Sequence, residues 1–522
     1  GLNSAYLDGS AVYHTPLDTP AAMDRGSLQE HGDNALALAR AFGAADLRDQ
    51  RAAGDATYFP VLGLLVRYPG QLTWPLAVLA VLLVGAAVAL ARRRSRLTLP
   101  RLAGGFGLVL VPIVLSTALA QAGWALLLRL RPGYAGLMTG DPYHPGWYRL
   151  AVTALTLAVL VGWYLVFRRR IGAAALALAG LCWLAVFGVL LAAAAPGGSY
   201  LTTLPAVFGG AGALVALRRP RWSGWALTLG ALPAVLVLAP TAALLFPALG
   251  LATGAVGALL VTLAALVTLP LLELALTGGS TGAGRGSGRR RLAVPAALLV
   301  VAVGCGVVGF AVDGFDADHP APVHLTYALD ADSGRAFWAS SQPAAGQTGE
   351  ARRWLARYVG TGTSMVGDRY PMLGNSTDGR MRTGPARAAD LSGPRLSTVA
   401  SHPGPDGYRT LRLRLTSPRG APIVGLYLPA GTRIRSATVQ GRRVVPRRAG
   451  PWALSVTFFA APPEGITVEL TLRGTARARI LDESDGLTGL PGYRPRPAGV
   501  GVAPAHDADE TVVARTVTLA TG

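Results

Sequence analysis

Apolar stretches long enough to cross a bilayer, about 20 residues each, recur through the middle of the chain. They fall near 72–91, 104–128, 148–167, 171–195, 199–217, 223–246, 248–277 and 292–313. The pattern predicts eight transmembrane helices. The run 222–277 is read as two crossings, with Pro247 at the turn and a kink at Pro240. After the last run the period changes. Tyr408–Leu415, Ile423–Leu428, Trp452–Phe459, Ile466–Leu472 and Thr511–Leu519 alternate apolar and polar residues, separated by turns such as Pro418-Arg419-Gly420 and Pro462-Pro463-Glu464-Gly465. That spacing predicts an antiparallel β-sandwich-like domain. In YRTLRLRL the leucines face its core and the arginines face solvent. One helix is expected near 348–358, containing Trp354.

Three domains follow: 1–71, a membrane domain over 72–313, and an extracytoplasmic β-rich domain over 314–522. Composition agrees. The chain of 522 residues is 51% hydrophobic and only 15% charged, which suits a polytopic membrane protein rather than a soluble one. Cys182 and Cys305 both lie in apolar runs, so no disulfide framework is indicated.

The net charge of +20, with every basic residue an arginine, raises nucleic acid as a partner. The placement of the arginines excludes it and points to the lipid bilayer. Fifteen lie in alternate connections: Arg92, Arg93, Arg94, Arg96 and Arg101; Arg168, Arg169 and Arg170; Arg218, Arg219 and Arg221; Arg285, Arg289, Arg290 and Arg291. The other short connections hold three: Arg129, Arg131 and Arg149. The arginine-rich side is then cytoplasmic and both large flanks are extracytoplasmic. The expected location is the cell membrane, multi-pass (with the flanks in a vacuolar or ER lumen if the source is eukaryotic). The linker 278–289 reads as flexible, with its arginines at anionic headgroups.

The first flank carries the candidate chemistry. Tyr13-His14-Thr15-Pro16-Leu17-Asp18-Thr19 sets a histidine in a short loop with a carboxylate four positions on. A carboxylate behind an imidazole fixes its tautomer and orientation for a metal. A helix follows, with Ser27 and Glu30 at capping-box spacing, an apolar face of Leu28, Ala35, Leu38, Ala39 and Phe42, and Gly43 as its stop. Asp55–Tyr68 reads as a buried strand leading to the membrane.

The segment YHTPLDTP followed by LQEHGDNALALARAFG (28–43) resembles the last part of the M28 family of zinc aminopeptidases. The resemblance implies that 1–71 is the end of an α/β peptidase domain whose complete form binds two zinc ions. It implies that His14 is the final zinc ligand and that Tyr13 can hydrogen-bond a developing oxyanion. Asp18 matches the family's aspartate after the ligand and is read as steadying it. The implied substrate is a peptide, cleaved at its N-terminus on the extracytoplasmic side. The arrangement also resembles the membrane-anchored members, with spans and a soluble part after the peptidase domain. The family's His-x-Asp, its acidic pair and a further aspartate ligand do not occur before Tyr13. We therefore expect a portion of a longer protein, inactive by itself.

Other polar groups carry less. Glu273, near the cytoplasmic end of its span, reads first as an interfacial, snorkelling carboxylate and second as a structural site with a partner. Tyr134, Asp141, Tyr143 and His144 read as a solvated outer loop, although Asp141 and His144 have a ligand-like spacing. His402 is placed in a Pro/Gly loop. His506, Asp507, Asp509 and Glu510 read as solvated acidic loop residues near the chain end. The alternative to a peptidase is a non-enzymatic polytopic scaffold whose outer β-domain binds envelope partners. A transporter ranks below both, because the spans carry so little charge.

Overall fold

The computed structural model describes residues 3–46, 54–278, 287–343, 346–347, 349–373, 378–446, 450–505 and 508–519, without the side chains of 278–291. The chain divides into two compact units. One comprises Gly1–Ala11, Thr19–Leu130 and Thr139–Gly314, the other Val12–Asp18, Arg131–Met138 and Phe315–Gly522.

The first unit opens with α1 (Arg25–Gly43) and a hairpin of β1 (Ala56–Val61) and β2 (Leu64–Pro69). Then come α2 (Thr73–Arg93), α3 (Leu99–Leu130), α4 (Gly146–Phe167), α5 (Ala173–Ala194), α6 (Tyr200–Arg218), α7 (Ser223–Leu249), α8 (Gly254–Gly278) and α9 (Ser287–Val312). Among the described residues, eight helices are long and apolar enough to cross a membrane, and they match the eight expected runs. Helices do this because they satisfy every backbone N–H and C=O within the segment. The helices α2 to α8 share a core rich in alanine and leucine, from Ala80 and Val84 of α2 to Leu266 and Leu269 of α8. Small residues bring α6 and α7 close: a Cβ on Gly212 would lie 2.5 Å from the Ala226 carbonyl oxygen.

The turn between α7 and α8 is not at Pro247. The helix runs through Pro233, Pro240 and Pro247 to Leu249. The chain reverses at Gly250, whose φ of 74° is one that residues with a Cβ rarely adopt. Proline is tolerated inside a membrane helix where neighbouring groups satisfy the freed carbonyl.

Two N-terminal expectations change. The cap of α1 is Asp24, not Ser27; its carboxylate accepts from the Ser27 N–H at 2.7 Å, and so occupies the orphan donors first. No residue of α1 is buried, and Leu28, Leu38 and Phe42 of its apolar face stand exposed. Residues 55–68 form a two-stranded antiparallel hairpin, not one buried strand, because Leu62 and Gly63 both take left-handed φ and turn the chain back.

The second unit is β-rich. Its strands are β3 (Ala321–Val323), β4 (Thr326–Asp330), β5 (Arg335–Ser340), β6 (Thr363–Met365), β7 (Arg380–Ala386), β8 (Arg395–Pro403), β9 (Tyr408–Thr416), β10 (Ile423–Pro429), β11 (Arg433–Val439), β12 (Arg442–Val444), β13 (Trp452–Phe458), β14 (Ile466–Arg473), β15 (Ala476–Asp485), β16 (Val500–Val502) and β17 (Glu510–Leu519). One sheet runs β13-β10-β15-β17-β4-β5-β7-β6 and another β12-β11-β14-β9-β8. Leu411, Leu413 and Leu415 of the second sheet and Leu426, Leu428 and Ile480 of the first share one buried cluster. The leucines of YRTLRLRL thus point inward as expected. The unit is not purely antiparallel: β17 pairs with β4, and β16 with β3, in parallel. Both parallel pairs join ends of the domain that are distant in sequence, which no hairpin can do. The expected helix is α10 (Gly349–Leu355), with Trp354 fully buried.

Candidate functional site

The loop around His14 is a pair of tight turns. The Thr15 N–H and hydroxyl both donate to the Val12 carbonyl, at 3.1 and 2.6 Å. The Leu17 N–H donates back to the Thr15 hydroxyl at 3.2 Å, and the Asp18 N–H to the Thr15 carbonyl at 3.0 Å. Thr15 therefore fixes the backbone on both sides. Inside this frame His14 is forced to φ = 59°, the left-handed region. That conformation costs a side-chain-bearing residue of order 1–2 kcal/mol and clusters at functional positions. The Tyr13 and His14 rings lie against each other, centroids 3.9 Å apart and planes tilted by 50°. His14 is half-buried, and Tyr13 and Asp18 are exposed.

Of the three residues singled out in the sequence, the structure brings Tyr13 and His14 together. Asp18 sits at the far end of the turn, joined to it through its backbone. Among the described residues no three His, Cys, Asp or Glu side chains converge in a way that could hold a metal ion. A catalytic zinc takes three protein ligands. The described residues therefore do not make up a zinc site by themselves.

The other ligand-like spacings separate. Asp141 is buried, not solvated. It accepts the Leu251 N–H at 2.9 Å and a guanidinium N–H of Arg149 at 2.6 Å. Burial pushes its carboxyl above the usual carboxylate range, partly offset by Arg149. His144 points elsewhere, its Nδ1 3.6 Å from the buried carboxylate of Asp313. Tyr134 is also buried and meets Phe315 edge to face. The loop that read as solvated is packed because its few polar groups have partners distant in sequence.

Arg149 also carries Asp8, whose two oxygens accept at 2.8 and 2.9 Å. These bonds hold the Asp8 carboxyl below its ordinary range. The sequence contains half of this signal: Arg149 is one of only three arginines in the short connections of the arginine-poor side, at the edge of an apolar run. Glu273 is a partnered group rather than a bare interfacial carboxylate. It accepts from the Tyr164 hydroxyl at 2.7 Å and lies 2.9 Å from Arg168.

In the β-rich unit, arginines that are largely withdrawn from solvent knit strands together. Arg419 holds the fully buried Asp482 at 3.0 Å and donates to the Thr511 carbonyl at 2.7 Å. Arg479 bonds Asp330 at 2.8 Å and lies over the Tyr370 ring; burial pushes the Tyr370 hydroxyl up to about 12. His402 is in strand β8 opposite Thr410, not in a loop, and is exposed. His506 and Asp507 lie outside the described residues. Asp509 is not merely solvated, since Arg496 grips its carboxylate, and Glu510 is buried at the start of β17.

Compared with family models, curated proteins and solved structures, the chain matches none.

Proposed function

We propose that this chain is the membrane-embedded, C-terminal part of an M28-like zinc exopeptidase, contributing one metal ligand, His14, to a site completed by residues outside it. The observation that carries the reading is the left-handed His14 in a turn locked by Thr15. A fold seeking only stability would place Gly there. An imidazole held rigidly at that cost, beside a phenol, suits a residue kept for its chemistry. Zinc is the implied metal, and peptides trimmed at the N-terminus are the implied substrates. Since the described residues do not fit a full metal site, we assign this chain the provision and orientation of one imidazole and no reaction step.

The same reading makes the eight helices a membrane domain with its arginine-rich connections cytoplasmic. It places both flanks, including the β-sandwich-like domain, outside. A non-enzymatic scaffold is favoured by one observation, the lack of a converging ligand set among the described residues.

The test takes the protein with whatever sequence its gene places before Gly1. Chelator-sensitive hydrolysis of an aminoacyl anilide, lost in His14→Ala while folding is retained, supports the peptidase. A folded protein with no such activity, or one whose activity and zinc content ignore His14→Ala, overturns it.

A further inference from the structure

We propose that the tip of the β1–β2 hairpin is a lipid anchor, seated in the headgroup and upper acyl region of the bilayer that surrounds the helices. The inference takes the eight apolar helices as membrane spans and does not depend on the peptidase reading.

The hairpin is fixed at its base to the end of the helical unit. The Gly70 N–H donates to the Asp55 carbonyl at 2.7 Å, and a single short turn joins β2 to α2. Phe59 stacks on Tyr200, the first residue of α6, with centroids 4.1 Å apart and planes 5° apart. Cross-strand partners share a face of the ribbon. Thr57 with Tyr68, Phe59 with Val66, and Val61 with Leu64 therefore form the face laid against the helices.

Burial fades along that face. On the β1 side Thr57 and Phe59 are buried and Val61 at the tip is half-buried; on the β2 side Val66 is 38% exposed and Leu64 72% exposed. The β2 side of the face near the turn is thus left uncovered by the helices among the described residues, and it carries leucine. Beside membrane spans, at the level where they begin, the neighbouring medium is the lipid interface. Trp74, exposed at the start of α2, marks the same level, where tryptophan and tyrosine concentrate in membrane proteins.

The turn itself supplies an independent argument. Two-residue turns with both residues left-handed favour Asn or Asp followed by Gly. Here the first position is Leu62, at φ = 50°, with Gly63 following at 80°. Leu62 is 81% exposed, so burial among the described residues does little to compensate for its strained backbone. An apolar side chain kept there is explained by a contact outside the protein. The unpaired strand edges confine insertion to the interface, since bare backbone groups do not enter the hydrocarbon core.

The full chain, with Cys182 and Cys305 replaced by Ala, is reconstituted in phosphatidylcholine–phosphatidylglycerol vesicles. Leu62→Cys and, separately, Leu64→Cys carry an environment-sensitive fluorophore. Blue-shifted emission, quenched by lipids spin-labelled near the glycerol and protected from aqueous iodide, supports the anchor. Quenching by iodide without lipid quenching overturns it, because the tip then stands in water. Protection from both quenchers also overturns it, because protein then covers the tip. Adding Leu62→Asn to the Leu64→Cys background gives a turn residue better suited to its backbone. The hairpin should then fold at least as well, while lipid quenching falls by about twofold or more. Unchanged lipid quenching in that variant counts against a role for Leu62.

Discussion

Arg149 donates to both carboxylate oxygens of Asp8 with two of its nitrogens, and one of those nitrogens also serves Asp141. The two acids differ in setting: Asp8 is half exposed and Asp141 is buried. Burial decides which matters. Removing Asp141 leaves the buried Leu251 N–H without its acceptor, and leaves the Arg149 guanidinium with only the half-exposed Asp8. Asp141→Ala should lower stability by about 1–3 kcal/mol. Asp8→Ala should cost about 0–1 kcal/mol, as solvent and salt screen an exposed pair. Thermal unfolding of the variants in one detergent measures the difference, and equal losses would refute the ranking.

The Asp8 pair also has a pH signature. Arg149 holds the folded-state carboxyl of Asp8 below its unfolded value. Such a group adds stability above the unfolded carboxylate pKa and loses it as pH falls through the lower, folded one. Asp8→Ala should be less stable than the parent at neutral pH and indistinguishable from it in strong acid. A gap that persists at the acid end of a melting series would mean the pair is not its source.

Asp482 shows the opposite sign. Burial pushes its carboxyl above the usual range even with Arg419 beside it. Arg419→Ala strands that carboxylate and should cost about 3–5 kcal/mol at neutral pH. Its folded pKa then rises further, so stability is retained at low pH and lost as pH climbs through that value. The variant's deficit should therefore shrink on acidification. Arg419→Ala combined with Asp482→Ala should recover part of the loss, and a strictly additive double variant would disprove the coupling.

If His14 is kept for chemistry, its stability cost should be recoverable. His14→Gly relieves the left-handed backbone but gives up the ring contact with Tyr13, so stability should change by no more than about 1 kcal/mol in either direction. His14→Val puts a β-branched residue at φ = 59° and should lower it by about 1–3 kcal/mol. Paired melting curves decide. A marked loss with glycine would make the imidazole a structural group.

Gly250 is required on two counts. Its φ of 74° and ψ of 170° are open to glycine almost alone, and a Cβ would fall 1.8 Å from the Thr139 carbonyl oxygen. Gly250→Ala should cost about 1–3 kcal/mol in backbone strain before the clash is counted. Pro247→Ala, inside a continuous helix, should cost less. The reverse order in thermal melts would place the turn at the proline.

The eight spans were legible to within a few residues, and so were the five strands read from alternation, including Tyr408–Thr416 and Ile466–Arg473. The strands missed are mostly short or irregular in pattern, such as β3, β6 and β16. The N-terminus of α1 was misplaced because Asp24 and Ser27 are both good caps, and only their mutual hydrogen bond ranks them. At the candidate site, residue identity was readable but the left-handed state of His14 was not. It depends on Thr15 bonding backward and forward within the turn.

The sequence by itself determined where lipid-compatible helix and two-sided strand occur. Each of those depends on the transfer energy and period of neighbouring residues, which a short window contains. Only the tertiary structure decided that Asp141 belongs to Arg149 and His144 to Asp313, that β17 lies parallel to β4, and that Leu62 and Leu64 stay largely exposed among the described residues. Those outcomes depend on groups brought together across long stretches of chain, and burial, which sets their energy, exists only after the elements have packed.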